Sequence, residues 1–524
     1  IMKKLTLLLC FVSFLTKAQN ITVASGKSFT IEKTGAVTMS GNFSNAGTFT
    51  LNSDSNEFSS IIIGGSVSGN ITYNRYVNSV GTNEWDLIGA PVEGQSINSF
   101  VTANASTLAS NGDAYAIGYY DNYWNEWENY TTSSNWYPFD GNFLLGMGFQ
   151  MATISGGTLK FTGAPAATNK TLPIIDFSVG EGEGGGEGTG WNLVANPFPS
   201  YIHANTNADS SHNFLTVNSD KLDDSYEAIY GYDADGSGYT VYNNTSAALR
   251  LAPGQAFMVA SDNPNVENPD VLSFTKEMRT IAGGDDLILG RSVKDSFELI
   301  LKLYEGDTEI ADTKFYFKEG LHLGLDPGYD AGHFNQQAAL TSRLLKEDEG
   351  VGFTINAMGL KNVNDAVIPI VINREAGNDF RISIDTFDIY EDTHVYLEDN
   401  AQGTIILLNE QDFELTPQDN LSGAGRFFLH LTSTSLSIED DVDTHLLNVY
   451  KSDLNNFITI EGTANQSNQT TATLYNILGK EVISKSLANN INTQTISTQG
   501  LAAGIYVVKL KSGNTVFTKK LIIN

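Results

Sequence analysis

Short segments of alternating apolar and polar residues, separated by glycine-containing turns, run along most of this chain. Between residues 20 and 76, turns such as Ser25-Gly26 and Ala46-Gly47 recur about every ten residues, a spacing typical of short strands. Successive side chains of a strand point to opposite faces, so this alternation fits sheets with one buried face. An aromatic share of 10% and 49 glycines, against only 17% charged residues, favour the same class. We therefore predict an all-β protein.

The start of the chain has the parts of a secretory signal peptide, predicted over residues 1–18. Lys3 and Lys4 precede a predominantly apolar run of eleven residues, and we expect cleavage after Ala18. Such a run is too short to cross about 30 Å of hydrocarbon as a helix, which disfavours a membrane anchor. The only cysteine, Cys10, lies in this segment, so the mature chain is expected to lack disulfides and a cysteine nucleophile.

An internal repeat organises the next part of the chain. The sequence WDLIGAP at 85–91 is echoed 106 positions later as WNLVANP at 191–197. Three further pairs of segments keep the same order: 116–121 with 228–233, 148–151 with 256–259, and 159–162 with 272–275. Four matched pairs at similar offsets predict a duplication of a strand-rich unit.

Composition then divides the whole chain into segments. Residues 19–76 are predicted to form a short β-solenoid or β-roll, because strands this short must stack to bury a face. The remaining expected segments are β-sandwich-like repeat units at 77–175 and 191–285, a Gly/Glu loop between them at 176–190, a further β-sandwich at 286–436, an acidic linker at 437–445 and a small β domain at 446–524. The Gly/Glu loop contains a GxGxxG match, but its glutamates would repel a phosphate.

The last segment carries a family resemblance. It contains LYNILGKEV at 474–482, LAAGIYVVKL at 501–510 and TKKLIIN at 518–524. This set resembles the type A C-terminal sorting domain of the bacterial type IX secretion system, which implies an Ig-like fold. The residues that carry the match are Leu478, Gly479, Gly504, Tyr506, Lys519 and Lys520.

The resemblance implies a route for the protein. Members of the family enter the periplasm of a Gram-negative bacterium by a signal peptide and then cross the outer membrane with the secretion machinery. A sortase-like peptidase generally removes the sorting domain, and the cargo is attached to surface lipopolysaccharide or released. The expected location is therefore the outer-membrane surface or the medium.

No set of residues in the sequence has the spacing of an active site. There is no HExxH, GxSxG or Walker motif, and the seven histidines show no metal-ligand spacing. We therefore expect no enzymatic activity. The net charge of −30, from 60 acidic and 30 basic residues, argues against binding to nucleic acid, since phosphate contacts need Lys and Arg.

The densest aromatic cluster lies in the first repeat unit and suggests a ligand. Aromatic rings stack on sugar faces and provide contact area at low entropic cost, so an exposed hairpin here could bind glycan. The candidate residues are Tyr120, Tyr123, Trp124, Trp127 and Trp136. The alternative is that these rings fill the sandwich core. The second repeat has no Trp in this position, which favours the binding hypothesis, and solvent exposure decides between the two.

Two acidic loops are candidates for calcium, and no other cofactor is expected. Asp233 and Asp235 begin a loop with the early spacing of a calcium site, although Asn244 stands where the bidentate Glu is expected. An Asp-Gly hairpin turn is the alternative. Asp326 and Asp330 form the second candidate.

Taken together, the sequence predicts an exported cell-surface or secreted protein with a structural or adhesin-like role and a possible glycan ligand. The alternative is a secreted polysaccharide-acting enzyme or its accessory carbohydrate-binding module. Binding of glycan without turnover favours the first hypothesis, and loss of polymer that depends on one carboxylate pair favours the second.

Overall fold

The computed structural model consists mainly of β-strands, which confirms the all-β prediction. It describes residues 17–80, 85–131, 141–178, 188–233, 238–281, 283, 297–335, 337–363, 365–389, 393–432, 447–451, 457–463, 468–476, 480–491, 493–501, 504–513 and 515–523. The chain divides into two compact units, which are described separately: the first comprises Ile1–Lys221, Ile229–Thr240 and Ser246–Ser292, and the second Leu222–Ala228, Val241–Thr245 and Val293–Asn524. The domain boundaries expected from the sequence stay predictions.

The first unit begins with short strands that stack in parallel. They are β1 (Lys17–Ala18), β2 (Ile21–Val23), β3 (Ser28–Ile31), β4 (Ala36–Met39), β5 (Phe43–Asn45), β6 (Thr48–Asn52), β7 (Ser60–Ile63), β8 (Val67–Ser68) and β9 (Ile71–Val77). Three parallel stacks form, in the orders β1-β4-β7, β2-β5-β8 and β3-β6-β9. Paired residues are 20 to 24 positions apart, as in Phe29 opposite Phe49 and Val37 opposite Ile61.

The alternation of these strands fills an apolar interior. Leu51 and Tyr73 are fully buried on neighbouring strands, and Phe43 packs edge-on against Phe49 with ring centroids 5.1 Å apart. Because one side chain in two points inward, each short strand contributes only one or two apolar residues. Stacking therefore supplies the core that no single turn of the chain could provide.

The rest of the first unit contains two sheets of the same strand order. Its elements are β10 (Asp86–Ile88), α1 (Ile97–Asn104), β11 (Ser110–Asn111), β12 (Ala114–Asp121), β13 (Glu126–Thr131), β14 (Phe149–Met151), β15 (Gly157–Gly163), β16 (Lys170–Ile174), β17 (Trp191–Ala195), β18 (Tyr201–His203), α2 (Phe214–Asn218), β19 (Ile229–Asp233), β20 (Gly238–Tyr242, whose last two residues belong to the second unit), β21 (Arg250–Leu251), β22 (Ala256–Ala260), β23 (Asp270–Phe274) and β24 (Arg279–Thr280), with 3-10 helices at Ser219–Lys221 and Lys276–Met278. A further 3-10 helix, Asp224–Tyr226, belongs to the second unit. The first sheet has the order β10-β14-β12-β13, with β11 also paired to β12, and the second has the order β17-β22-β19-β20. Three of the four pairs of segments matched in sequence thus take the same places in the two orders, whereas the fourth pair lies in β15 and β23, which belong to other sheets.

The two short helices are tied to neighbouring strands by the same asparagine bridge. Asn104, at the end of α1, donates to the carbonyl of Lys160 and accepts from its N–H at 2.8 Å. Asn218, at the end of α2, does the same with Ser273, accepting at 2.7 Å. Each amide satisfies the N–H and the carbonyl of one strand residue, which the edge of the strand would otherwise leave without partners.

A buried arginine joins the stacked strands to the segment between β21 and β22 of the first unit. Arg75 lies on β9 and is only 1% exposed. Its Nε donates to the carbonyl of Pro253 at 3.0 Å, and its guanidinium lies 4.1 Å from the ring centroid of Phe58. The planar guanidinium suits this place because it bonds and stacks at once.

The second unit contains an eleven-stranded sheet within the described residues. Its elements are β25 (Phe297–Glu305), β26 (Thr308–Lys318), β27 (Ala331–Gly332), β28 (Leu340–Ser342), β29 (Phe353–Gly359), β30 (Asp365–Ile372), β31 (Phe380–Asp388), β32 (His394–Asp399), β33 (Thr404–Leu407), β34 (Phe413–Leu415) and β35 (Phe427–Thr432), with a 3-10 helix at Leu360–Asn362. The order is β33-β32-β35-β30-β28-β29-β26-β25-β31-β34, with β27 beside β29.

The end of the chain forms two small sheets around a separate apolar cluster. The strands are β36 (Asn448–Lys451), β37 (Phe457–Glu461), β38 (Thr470–Asn476), β39 (Glu481–Ser486), β40 (Gln494–Ser497), β41 (Gly504–Ser512) and β42 (Thr515–Ile523). Their orders are β36-β37-β40 and β39-β38-β41-β42. The cluster includes Ile458, Leu474 and Val508. An Ig-like topology for this part stays a prediction.

We predict that Arg75→Met destabilises the first unit by about 1–3 kcal/mol, because the carbonyl of Pro253 then stays buried without this donor. All five tryptophans of the chain belong to the first unit, so denaturation followed by tryptophan fluorescence reports on that unit. Lys160→Met, an exposed substitution on β15, is the control and should leave the midpoint unchanged. Equal midpoints for the two variants would contradict the role given to Arg75.

Candidate functional site

The hairpin of β12 and β13 holds the aromatic residues singled out in the sequence. Tyr120 and Trp127 are directly opposite each other in the antiparallel register, and their ring centroids are 5.3 Å apart. The turn between the strands contains Asn125 with a φ of 53°, and Asn tolerates this left-handed conformation better than most residues. The Tyr120 hydroxyl donates to Asn125 Oδ1 at 2.6 Å, which holds the turn against the ring pair.

Two of the candidate tryptophans are exposed. The side chain of Trp124 is 42% exposed and that of Trp127 is 36% exposed. Tyr120 and Tyr123 are half-buried, and Tyr123 packs edge-on against Trp124 with centroids 4.9 Å apart. The structure therefore brings four of the five candidates onto one hairpin, while Trp136 lies outside the described residues.

A cleft of about 280 Å³ lies beside Trp127. Its lining combines aromatic rings with two side-chain amides and belongs wholly to the first unit: Trp85, Leu87, Trp127, Asn129, Gln150, Tyr232 and Tyr239. Tyr232 and Tyr239 pack on each other with centroids 5.1 Å apart, as Tyr120 and Trp127 do in the first hairpin.

Sequence reasoning missed most of this cleft, although the repeat carried a signal for part of it. In the alignment of the two repeats Tyr232 matches Tyr120, and Tyr239 follows Asp233 by the same six positions that separate Trp127 from Asp121. An aromatic pair across the second hairpin could therefore have been expected.

A second, mainly apolar cavity of about 480 Å³ lies on the Trp124 side of the hairpin. Its lining includes Tyr123, Leu144, Leu172, Ile174 and Phe177. The amide of Asn122, which also reaches this cavity, already donates to the carbonyl of Ile175 at 3.0 Å and to Asn192 Oδ1 at 3.1 Å. The Nδ2 group of Asn122 is thus already engaged within the protein.

Tyr119 and Tyr120 of the hairpin remain neutral hydrogen-bonding groups. Burial raises the pKa of Tyr120 to about 12, and the nearby carboxylate of Asp121 acts in the same direction. Burial, followed by the hydrogen bond to Glu128, raises the pKa of Tyr119 further still. Protonated hydroxyls suit an uncharged hydrogen-bonded ligand rather than proton transfer near neutral pH.

Of the two acidic loops predicted as calcium sites, the structure describes the side chains of Asp326 and Asp330 but not those of Asp233 and Asp235. In the second candidate, Asp330 is fully buried and accepts backbone N–H groups from Asp326 at 2.7 Å and from Ala357 at 2.6 Å. Asp326 accepts from the backbone N–H of His322 at 2.6 Å. Asp235 and the side chain of Asp233 lie outside what is described. No group of three or more His, Cys, Asp or Glu suited to a metal occurs among the described residues.

A second buried carboxyl lies near the Asp330 loop. Gly328 has a φ of +75°, and a Cβ added there would lie 2.8 Å from Glu227 Oε1 and 2.9 Å from Asn244 Nδ2, so only glycine fits. Burial, with a smaller contribution from Asp224, raises the pKa of Glu227 to about 7. Burial also raises the pKa of Asp330 to about 7, although its two N–H donors oppose the shift.

The sorting-motif residues lie in the last two strands or outside the described residues. Tyr506 is buried on β41, opposite Leu521 of β42, and Gly504 begins β41 opposite Ile523. Lys519 on β42 donates through Nζ to the carbonyl of Asp348. Leu478 and Gly479 lie outside the described residues, and of Lys520 only the backbone is described.

The sorting region is joined to the large sheet of the second unit by buried charges. Arg343 approaches Asp348 at 3.4 Å and Glu461 of β37 at 3.6 Å, and all three side chains are buried. Removing one member of such a group leaves a charge without its partner in a dry environment. The sorting region is therefore packed as part of this unit.

The expected cleavage site lies in β1, where Ala18 pairs with Met39 of β4. Cleavage after Ala18 stays a prediction. None of the helices among the described residues has the length and apolar character needed to cross a membrane.

Comparison with known families identifies the class of protein. Residues 448–524 match the family described as "Secretion system C-terminal sorting domain", which confirms the resemblance found in the sequence. The protein is a cargo of the type IX secretion route, and it is secreted or displayed at the cell surface. The chain belongs to the family described as "Domain of unknown function (DUF8693)", whose model matches residues 10–431.

Other comparisons add no functional argument. No curated protein matches the chain. Seven chains of solved structures match, among them one described as "Biofilm associated protein - BSP domain", at 10% identity and a TM-score of 0.16, over 86% of this chain and 90% of that chain. A likeness at this TM-score supports no conclusion about fold or function.

We predict that Glu227→Gln removes part of the pH dependence of the second unit. The folded-state pKa of Glu227, about 7, exceeds its ordinary value of 4.5, so the stability that its protonated form contributes is full below pH 4.5 and is lost as the pH rises through 7. The variant should match the native protein at pH 4.5 and unfold at a higher temperature at pH 8.

Calorimetry of the intact chain measures this effect, with the second unit followed as the transition that tryptophan fluorescence does not report. Glu319→Gln, at an exposed position of the same unit, is the matched control and should change neither end of the pH range. A Glu227→Gln variant that is less stable than the native protein at pH 8 would contradict the assignment.

Proposed function

We propose that this exported protein is an adhesin-like binder of glycan and that the hairpin of β12 and β13 carries the binding. The observation that carries the proposal is the exposure of Trp124 and Trp127, at 42% and 36%, on one ordered hairpin. Exposing two large rings in water is unfavourable unless a partner covers them. The flat faces of indole rings are well suited to the C–H faces of sugars.

The proposal is one of binding without turnover. Hydrolysis of a glycosidic bond needs two carboxyl groups at a defined separation, one of them acting as an acid. Near the hairpin Glu128 accepts from the Tyr119 hydroxyl at 3.0 Å, which assigns that carboxylate a role within the sheet. A secreted polysaccharide-acting enzyme, or its accessory binding module, is the alternative that the experiment below tests.

We extend this proposal to the partners and cofactors of the protein. The secretion machinery and a sortase-like peptidase would act on the sorting region, and the mature protein would attach to surface lipopolysaccharide or be released to meet extracellular glycan. We propose that glycan binding requires no metal ion. Calcium at the Asp233 loop would be seen as a melting temperature that falls on addition of a chelator.

We predict that Trp124→Ala combined with Trp127→Ala weakens glycan binding at least about tenfold, the loss expected when stacked rings are removed. Binding is measured by titrating the mature protein against a glycan panel, and chromatography of the bound glycan tests for products. Phe29→Ala, which removes a 40% exposed ring elsewhere in the first unit, is the control and should bind normally. Release of shortened glycan would favour the enzyme instead.

A further inference from the structure

We propose that the cleft beside Trp127 is the site of recognition and that it selects uncharged sugar units. This inference rests on the proposed function and makes it more specific. It assigns the recognition to residues from both aromatic hairpins of the first unit, most of which the sequence alone did not single out. At about 280 Å³ the cleft is at the small end of ligand pockets, which run from about 300 to 1,000 Å³, so it would hold a short stretch of a polysaccharide.

The rings of the cleft are held in place before any ligand arrives. Trp127 packs on Tyr120 across one hairpin at 5.3 Å, and Tyr239 packs on Tyr232 across the other at 5.1 Å. Cross-strand packing restricts the rotamers of these side chains, so binding costs little conformational entropy. Trp85, half-buried immediately before β10, adds a further ring.

Two amides give the cleft a donor and an acceptor. Gln150 Nε2 donates to Asn129 Oδ1 at 3.0 Å, and among the described residues this leaves Asn129 Nδ2 and Gln150 Oε1 for a ligand. Gly118 makes room for the pair, since a Cβ there would lie 2.5 Å from Asn129 Oδ1 and 2.8 Å from Gln150 Nε2. A sugar hydroxyl both donates and accepts, so it can bond to both groups.

The charge of the surroundings argues for a neutral ligand. None of the described residues that line the cleft is charged, and residues 76–159 contain eight Asp or Glu and no Lys or Arg. Glu126 and Glu128 lie on the same strand as Trp127. Uronate, sialate and sulfate groups are usually bound by Arg or Lys, and here they would meet only like charge.

The cavity on the Trp124 side is less suited to a sugar. Its lining is mainly apolar, and the Asn122 amide is already bonded within the protein. Over most of this lining, sugar hydroxyls would lose hydrogen bonds to water without replacement. The two sides of the hairpin therefore differ in the ligand chemistry they accept.

The experiment titrates the mature protein with two sets of polysaccharide of similar length and follows tryptophan fluorescence. Dextran, β-glucan and galactomannan form the neutral set, and polygalacturonate, alginate and hyaluronate form the anionic set. We expect binding within the neutral set and affinities at least about tenfold lower for the anionic set. The preference for neutral glycan should persist at high salt. Salt screens the repulsion between anionic glycan and the acidic surroundings, but it does not supply the Arg or Lys partners that anionic groups need.

Variants locate the site. Trp127→Ala and Tyr239→Ala should each weaken neutral-glycan binding at least about tenfold, and by more than Trp124→Ala does. Gly118→Val should also weaken binding, because it displaces the amide pair while leaving every ring of the cleft present. Phe29→Ala serves as the control, and the far-ultraviolet circular dichroism of each variant shows whether it has folded.

Each outcome decides between the two proposals. Tighter binding to the anionic set, or a larger loss from Trp124→Ala than from Trp127→Ala, would overturn this inference and leave glycan binding standing. Binding to neither set would overturn the proposed function, and this inference with it. If a folded Gly118→Val variant binds glycan with native affinity, the amide pair of Asn129 and Gln150 is not part of the binding site.

Discussion

The register of β12 against β13 is the constraint on which the candidate site depends. It places Tyr120 opposite Trp127 and, along the same strand, sends the fully buried Ile117 into the core. Because side chains alternate between faces, a slip of one residue would exchange the faces of the hairpin and bury its exposed residues. The apolar core of the first unit therefore fixes where its polar and aromatic surface can be, and with one cysteine in the sequence no internal disulfide shares that task.

The parts of the molecule that depend on local patterns could be predicted from the sequence. Alternation indicated strands, the motif around Gly504 and Tyr506 indicated the sorting domain, and clustered rings indicated Trp124 and Trp127. The cleft was harder to predict because Trp85 immediately precedes β10 and Gln150 lies in β14, more than twenty residues beyond Trp127. Their proximity follows from the strand order β10-β14-β12, which a single sequence does not contain.

The distribution of charge separates the transported part of the protein from its sorting region. Residues 446–524 carry seven Lys against three acidic residues, whereas the chain as a whole has twice as many acids as bases. Buried Glu461, beside Arg343, is one of those three acids, so the exposed face of the sorting region is still more basic than its composition indicates. The acidic remainder would repel copies of itself and stay soluble at high local concentration.

The stacked strands at the start of the first unit end on β9, whose free side is completed by β15 in an antiparallel pair from Val77 opposite Gly157 to Ile71 opposite Gly163. A chain that emerges with its amino terminus first presents β9 long before β15 exists. During that interval β9 is an open edge able to pair with a strand of another molecule. Contacts this distant in sequence also form slowly. β9 therefore reaches its final hydrogen-bonded state later than the strands before it, whose parallel partners are only 20 to 24 residues away.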